Sequence, residues 1–221
     1  MEILFATDAK GRVIKSAERV ALLQEMRDHL ERCGEVPFAV PAVHVMLVTS
    51  TGRLRLVQRG DKPENPFRWD KTVGGHVNST DPSLPRSVFD LNARREMAEE
   101  VGIDQVILAE DAIQYQRLLH AQQLDFNQQA LIRLIDHDPW QASLRYDRQG
   151  KTWLKRGNIA VYAGVYDGPL RFVDGEAQAS RDIAATELWE ALRTTPWHYT
   201  DDMRVLLERY YFLLQSGLSP S

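Results

Sequence analysis

The chain has 221 residues, 43% hydrophobic, 26% charged and 9% aromatic, the profile of a folded protein with one main domain and not of a disordered segment. Its 27 basic and 31 acidic side chains give a formal charge of −4, which argues against bulk nucleic-acid binding but leaves room for a local basic pocket. A single cysteine, Cys33, excludes an intramolecular disulfide and argues against a thiolate zinc site, and runs such as Val45-Met46-Leu47-Val48 fall far short of the ~20 apolar residues needed to span a bilayer.

The opening MEILFATDAKGR places Glu2 and Asp8 where a secretory leader would carry a basic stretch and an apolar core, so a cytoplasmic protein with no membrane partner is expected. Residues 2–7 read as a strand, 8–11 as a tight turn and 12–14 as a second strand. Ser16 is expected to open a helix with an apolar face of Val20, Leu23, Met26 and Leu30, stopped at Gly34. Residues 42–58 read as two β runs around a Thr51-Gly52 turn, and 60–72 as a polar loop. After Val73-Gly74-Gly75-His76-Val77 and a Pro82/Pro85 loop, a helix is expected from Ser87, with Asp90 completing a weak capping box and Gly102 ending it. Residues 113–120 and 158–167 read as strands. The long stretch 121–157 between them is expected to be an insertion holding a helix near 127–135 that ends at Asp138-Pro139. Short strands are expected at 170–173 and 184–190, and a final helix is capped by Thr200, with Leu206, Leu207, Tyr210 and Leu214 inward. No internal repeat is present. The mixture implies a mixed α/β or α+β fold.

The helix around residue 95 carries the chemical signal. At ~100° per residue, Glu100 lies roughly 40° from Glu96 around the helix and Glu99 roughly 60° to the other side. Three carboxylates thus share one face near the negative end of the helix dipole, where like charges repel and acids are disfavoured. A hard cation such as Mg²⁺ removes both penalties; a solvated acidic face with Arg94 and Arg95 as counterions is the plain alternative.

This segment resembles the Nudix box, G-x5-E-x7-R-E-U-x-E-E-x-G-U with U aliphatic. Arg95, Glu96, Met97, Glu99, Glu100, Gly102 and Ile103 match every fixed position of its second half, and Gly75 matches the opening glycine. The first glutamate is replaced: G-x5 ends on Asp81, and six extra residues precede Arg95; counted back from Arg95, its place falls on Ser87. The stretch LRLVQRGDKPENPFRWDKTVGGHV further resembles the Nudix proteins near isopentenyl-diphosphate isomerase, but Gly74 stands where those isomerases hold cysteine.

The resemblance implies an α/β/α sandwich with a mixed sheet. An N-terminal strand-turn-strand-helix extension would occupy residues 1–35, and the main domain 36–221 would include a C-terminal helix. It implies water attack on a small-molecule diphosphate, with Mg²⁺ or Mn²⁺ held by Glu96, Glu99, Glu100 and the Gly75 carbonyl. Glu99 is a candidate base, Arg95 orients the carboxylates, and Glu176 in VDGEAQASRD is a candidate later base or ligand. Arg59, Lys62, Arg68, Trp69 and His76 are candidates for phosphate contacts and a stacking ring, with exposed loop charges and a turn-capping histidine as alternatives. Trp153, Lys155 and Arg156 are candidates for a lid. A homodimer is compatible with this reading. Two other functions remain open: an isomerase-like enzyme, disfavoured by Gly74, and a non-catalytic nucleotide-diphosphate-binding regulatory module.

Overall fold

The computed structural model describes residues 2–121, 123–172 and 175–215. A hairpin of β1 (Ile3–Thr7) and β2 (Val13–Glu18) leads into helix α1 (Arg19–Cys33). The main sheet contains β3 (Val40–Val48), β4 (Leu54–Arg59), β5 (Trp69–Asp70), β6 (Val73–His76), β7 (Val106–Ala109), β8 (Ala130–Tyr146), β9 (Thr152–Val165) and β10 (Ala177–Ile183). Its principal order is β10-β4-β3-β9-β8-β7, with β5 beside β4 and β6 beside β3. The pairs β3–β9 and β7–β8 are parallel and the others antiparallel, so the sheet is mixed.

Period-two alternation along β3 divides the core. Val43, Val45 and Leu47 face helix α2 (Arg86–Val101), which buries Phe89, Ala93 and Met97 against them. Met46 and Val48 face the opposite layer of α3 (Ala112–His120), α4 (Ala185–Thr194) and α5 (Asp201–Gln215), which contributes Tyr115, Leu188, Met203, Leu206, Leu207 and Leu214. This is the expected α/β/α sandwich. A third cluster joins Leu4, Ala6, Leu22 and Met26 to Val36, Phe38 and Val40, with Trp153 and Leu154 of β9 at its margin. No helix among the described residues is long and apolar enough to cross a membrane.

Several elements differ from their sequence reading. Ser16 lies inside β2, opposite Phe5, and the helix begins at Arg19. Its buried face is Leu22 and Met26, while Val20 is exposed. Gly34 ends it at φ 73, the left-handed conformation that glycine adopts without a Cβ clash. Helix α2 begins at Arg86 after Pro85, and Ser87 does not cap it. Asp90 accepts the Tyr162 hydroxyl at 2.7 Å instead of closing a capping box. Residues 113–120 are helical: Asp111 accepts the Gln114 N–H at 2.7 Å, an N-cap that outweighs the β-branched start of the segment.

The helix expected near 127–135 is absent. That stretch is the start of β8, which runs with β9 as a long antiparallel hairpin. Pro139 sits where the register shifts between Asp138 and Gln141, a bulge where a missing N–H costs no ladder bond. Residues 170–172 are irregular and Val173 lies outside the described residues. The segment read as a strand at 184–190 belongs to helix α4, whose Glu187 side chain accepts the Ala184 N–H at 3.1 Å. The strand here is β10, just before it. Thr200 does precede α5, but its hydroxyl donates to Asp70 at 2.7 Å.

Candidate active site

A cleft of about 250 Å³ opens at the end of β3, β6 and β9. One wall is the α2 carboxylate face against β6. Strand β6 pairs with β3 so that Gly75 lies opposite Val43 and Gly74 opposite His44. A side chain at either glycine would crowd a functional neighbour. A Cβ on Gly75 would overlap the Glu96 carboxyl group, and one on Gly74 would lie 2.5 Å from the Lys71 Cε. The missing side chains let the β6 backbone approach the glutamates directly. The Gly74 N–H donates to Glu100 Oε2 at 3.2 Å.

Arg95 organises the rest of this wall. Its guanidinium donates to Glu99 Oε2 at 2.7 Å, Glu96 Oε1 at 2.5 Å, Asn92 Oδ1 at 3.0 Å and the His76 carbonyl at 3.1 Å. Asn92, not singled out in the sequence, also accepts the Asn78 N–H at 3.0 Å and so ties the loop after β6 to α2. Burial pushes the Glu96 carboxyl up to about 7, with Arg95 opposing and Glu99 reinforcing the shift. Burial and the neighbouring Glu96 push Glu100 up to about 8, and Glu176 adds to the rise in both. Glu176, immediately before β10, pairs with Lys62 at 2.5 Å.

The other walls come from distant segments. Strands β8 and β9 supply Gln141, Ser143, Arg145 and Lys155; α1 supplies Arg19, and α5 supplies Asp202. Asp202 accepts hydrogen bonds from Arg145 at 2.8 Å and from Lys71 at 3.2 Å. Lys71 also bonds Asp70 at 3.1 Å, and Arg59 reaches Asp70 at 3.4 Å. Lys155 lies 3.1 Å from His76 Nε2 and 4.0 Å from Glu64. His44 faces Asp202 at 3.8 Å, and burial holds its imidazole down at about 3.

Of the residues singled out in the sequence, the cleft brings together Arg59, Gly75, His76, Arg95, Glu96, Glu99, Glu100 and Glu176. Lys62 reaches it only through Glu176. Arg68 and Trp69 point elsewhere: Arg68 stacks on Tyr146 and donates to the Tyr199 carbonyl, and Trp69 is covered by Arg181. Lys155 lines the cleft, whereas Trp153 stacks under Arg27 and Arg156 over Trp140. His44, Lys71, Arg145 and Asp202 were missed; the only sequence signal for them was charge at positions patterned for burial.

The fold has relatives among solved structures. The DR0079 protein of Deinococcus radiodurans matches with a TM-score of 0.60 at 16% identity, over 95% of this chain and 99% of that one. A MutT Nudix hydrolase of Burkholderia pseudomallei (19% identity, 76% and 94% covered, TM-score 0.40) is similar more loosely. So is the Nudix domain of Shewanella oneidensis NrtR, solved with ADP ribose (14% identity, 80% and 88% covered, TM-score 0.46). No protein-family model and no curated protein matches the sequence.

Proposed function

We propose that the chain is a divalent-metal-dependent hydrolase of the Nudix type that cleaves an organic diphosphate by attack of water at phosphorus. The observation that carries this reading is the approach of Glu96 and Glu100 to the Gly74-Gly75 backbone, with Glu99 on the same cleft wall held by Arg95. The donor set suits the ion: clustered hard carboxylate oxygens, two of them with proton affinity raised by burial and mutual repulsion. Glu96, Glu99, Glu100 and the Gly75 carbonyl would hold Mg²⁺ or Mn²⁺. When bound, such an ion neutralises charge on the phosphate oxygens and lowers the pKa of water.

The chain's own residues then have separable tasks. Arg95 fixes Glu96 and Glu99 in place, and the Gly74 N–H fixes Glu100. Glu99, the most exposed of the three, is the candidate to take the proton of the attacking water, with Glu176 the alternative from the facing loop. Arg59 and His76 line the same cleft and offer positive charge and a ring nitrogen toward phosphate.

A second reading, a diphosphate-binding module that does not turn over, has one observation in its favour. Arg95 already pairs with Glu96 and Glu99, and among the described residues no three His, Cys, Asp or Glu side chains form a preassembled metal cage. Isomerase chemistry is disfavoured because the Gly74 position has no side chain and Lys71 occupies the space one would need. Phosphate and monophosphate release over a diphosphate panel, with and without Mg²⁺, separates these. Metal-dependent release supports the hydrolase; tight binding with no release supports the module, and allylic isomer from isopentenyl diphosphate overturns both.

A further inference from the structure

We propose that the cleft takes a small polar diphosphate carrying a second anionic group, which sits among Arg19, Arg145 and Lys155 on the far side of His76 from the α2 carboxylates. This inference rests on the hydrolase reading and adds the chemical class of the substrate.

His76 divides the cleft. Its carbonyl is bound by Arg95, beside the glutamates, while its ring meets Lys155 at 3.1 Å. Beyond that ring lie Arg19, Arg145 and Lys155, with Glu2, Glu64 and Asp202 among them. Arg19 pairs with Glu2 at 3.0 Å, but the remaining acids are shared. Glu64 serves both Arg27 and Lys155, Asp202 serves both Lys71 and Arg145, and Asp70 serves both Lys71 and Arg59. Counted together, Arg19, Arg27, Arg59, Lys71, Arg145 and Lys155 face Glu2, Glu64, Asp70 and Asp202, six cations to four acids, so the paired network around this end keeps excess positive charge before any ligand arrives, in a partly desolvated setting where an anion gains more than it would in water. Burial lowers the Lys155 ammonium to about 8, which still leaves it mostly charged at neutral pH.

The lining also says what the substrate lacks. Apart from glycines, its only apolar side chains are Val40, Ala42 and Ile159, and among the described residues no Phe, Tyr or Trp faces it. A nucleobase draws ~1–3 kcal/mol from stacking on an aromatic ring, and an isoprenoid chain draws its affinity from apolar burial. Among the described lining residues neither is offered beyond the small rings of His44 and His76. Trp69, the ring nearest in sequence to the glycines, is engaged by Arg181 and packs in the core beside α5. Gln141 and Ser143 add polar groups at the cationic end. Gln141 is 3% exposed and its side-chain oxygen has no donor within the described chain. These are partners for the hydroxyls of a phosphorylated sugar or polyol.

The test compares three diphosphates with Mg²⁺: 5-phosphoribosyl 1-diphosphate, which bears a distal phosphate, ADP-ribose, and geranyl diphosphate. The expected result is a kcat/KM for the first at least tenfold above the other two. Arg19→Gln and Lys155→Met should each raise KM for it at least tenfold and collapse its advantage over ADP-ribose. Arg19 is half exposed, so that variant keeps the test open if the buried Lys155 variant does not fold. Calorimetric titration with ribose 5-phosphate gives a readout independent of turnover. Hydrolysis without preference, or preference unaltered in a folded Arg19→Gln, overturns this inference and leaves the hydrolase reading standing. No hydrolysis of any diphosphate, with ribose 5-phosphate bound by the wild type and lost in Arg19→Gln, overturns the hydrolase and supports the anion site. Absence of both overturns both.

Discussion

The two walls of the cleft are built by opposite routes. The carboxylate wall is local. Gly74, Gly75, Arg95, Glu96, Glu99 and Glu100 come from one strand and the next helix, and a single guanidinium knits the acids together. The cationic wall is assembled from α1, β8, β9 and α5, so that Arg19, Arg145, Lys155 and Asp202 meet only after the sheet and the C-terminal helix are in place. Acids crowded on one helix face repel, and their arrangement favours an incoming cation. Cations buried around shared acids depend on one another for stability, because each removed partner leaves an uncompensated charge. The first wall is therefore expected to be sensitive in activity and the second in folding.

The sharpest way to break this comparison is Glu100→Gln. It keeps shape and removes one charged oxygen donor, so metal-dependent kcat should fall ~10²–10⁴-fold, at 1.36 kcal/mol per factor of ten. Relief of the burial penalty, and of the repulsion from Glu96, at a group held at about 8 should leave the melting temperature unchanged or slightly higher. Steady-state kinetics showing near-wild-type kcat in a folded variant would sink the assignment of this wall.

Asp202→Ala should do the reverse. It strips the shared acceptor from Lys71 and Arg145, both almost wholly buried. Breaking a buried ion pair on one side costs about 3–5 kcal/mol, to be read from the urea midpoint at constant m-value. A loss under 1 kcal/mol would mean that water or Asp70 replaces it.

Gly75→Ala sharpens the contrast from the glycine side. The new methyl would overlap the Glu96 carboxyl group, so either the strand or the glutamate shifts. Overpacking of this kind costs about 1–3 kcal/mol. The larger readout should be a drop in kcat, because Glu96 is displaced from its neighbours. Unchanged kinetics would show that the close approach of β6 to α2 is not used.

The smallest effect concerns pH. Burial keeps His44 neutral when folded, with its imidazole held at about 3 against 6.5 for the free group. Below pH 6.5 the unfolded chain binds a proton that the folded chain refuses, so stability falls as pH drops from 6.5 toward 3. His44's own share of the change from pH 7 to pH 5 should be a loss of roughly 1–2 kcal/mol, with buried His76 adding to it and the raised Glu96 and Glu100 carboxyls opposing it. His44→Gln should remove that share, read as the difference from wild type in urea titrations, leaving the separate loss below pH 4, where the unfolded chain protonates Asp202 while Arg145 and Lys71 hold the folded carboxyl well below its usual range. An unaltered limb would place the titration elsewhere.

The same local-versus-assembled division governs how much could be read in advance. The Gly34 and Gly102 helix stops and the inward face of α5 follow from patterns shorter than twenty residues, the α/β/α layering from the resemblance of the helix motif, and the structure has them. Where local propensity was ambiguous the reading failed. The Ile-Arg-Leu-Ile run and Pro139 suggested a helix and its end. In fact β8 is held as a strand by parallel pairing with β7 and antiparallel pairing with β9, partners far away in the chain. Residues 113–120 show the opposite case, since the Asp111 cap was a local signal present in the sequence but overlooked.

By itself the sequence determined that the three carboxylates share a face. Helical geometry alone puts Glu96, Glu99 and Glu100 together, and the glycines remove the side chains that would otherwise stand where β6, paired with β3, meets them. Only the tertiary structure decided what stands across from that wall. Trp69, close to the glycines, was packed against the core beneath Arg181, while Lys155, sixty residues past Arg95, was brought to His76. The physical reason is that a charged side chain on a strand has no fixed partner until register and sheet order set its neighbours, and those are properties of the whole fold.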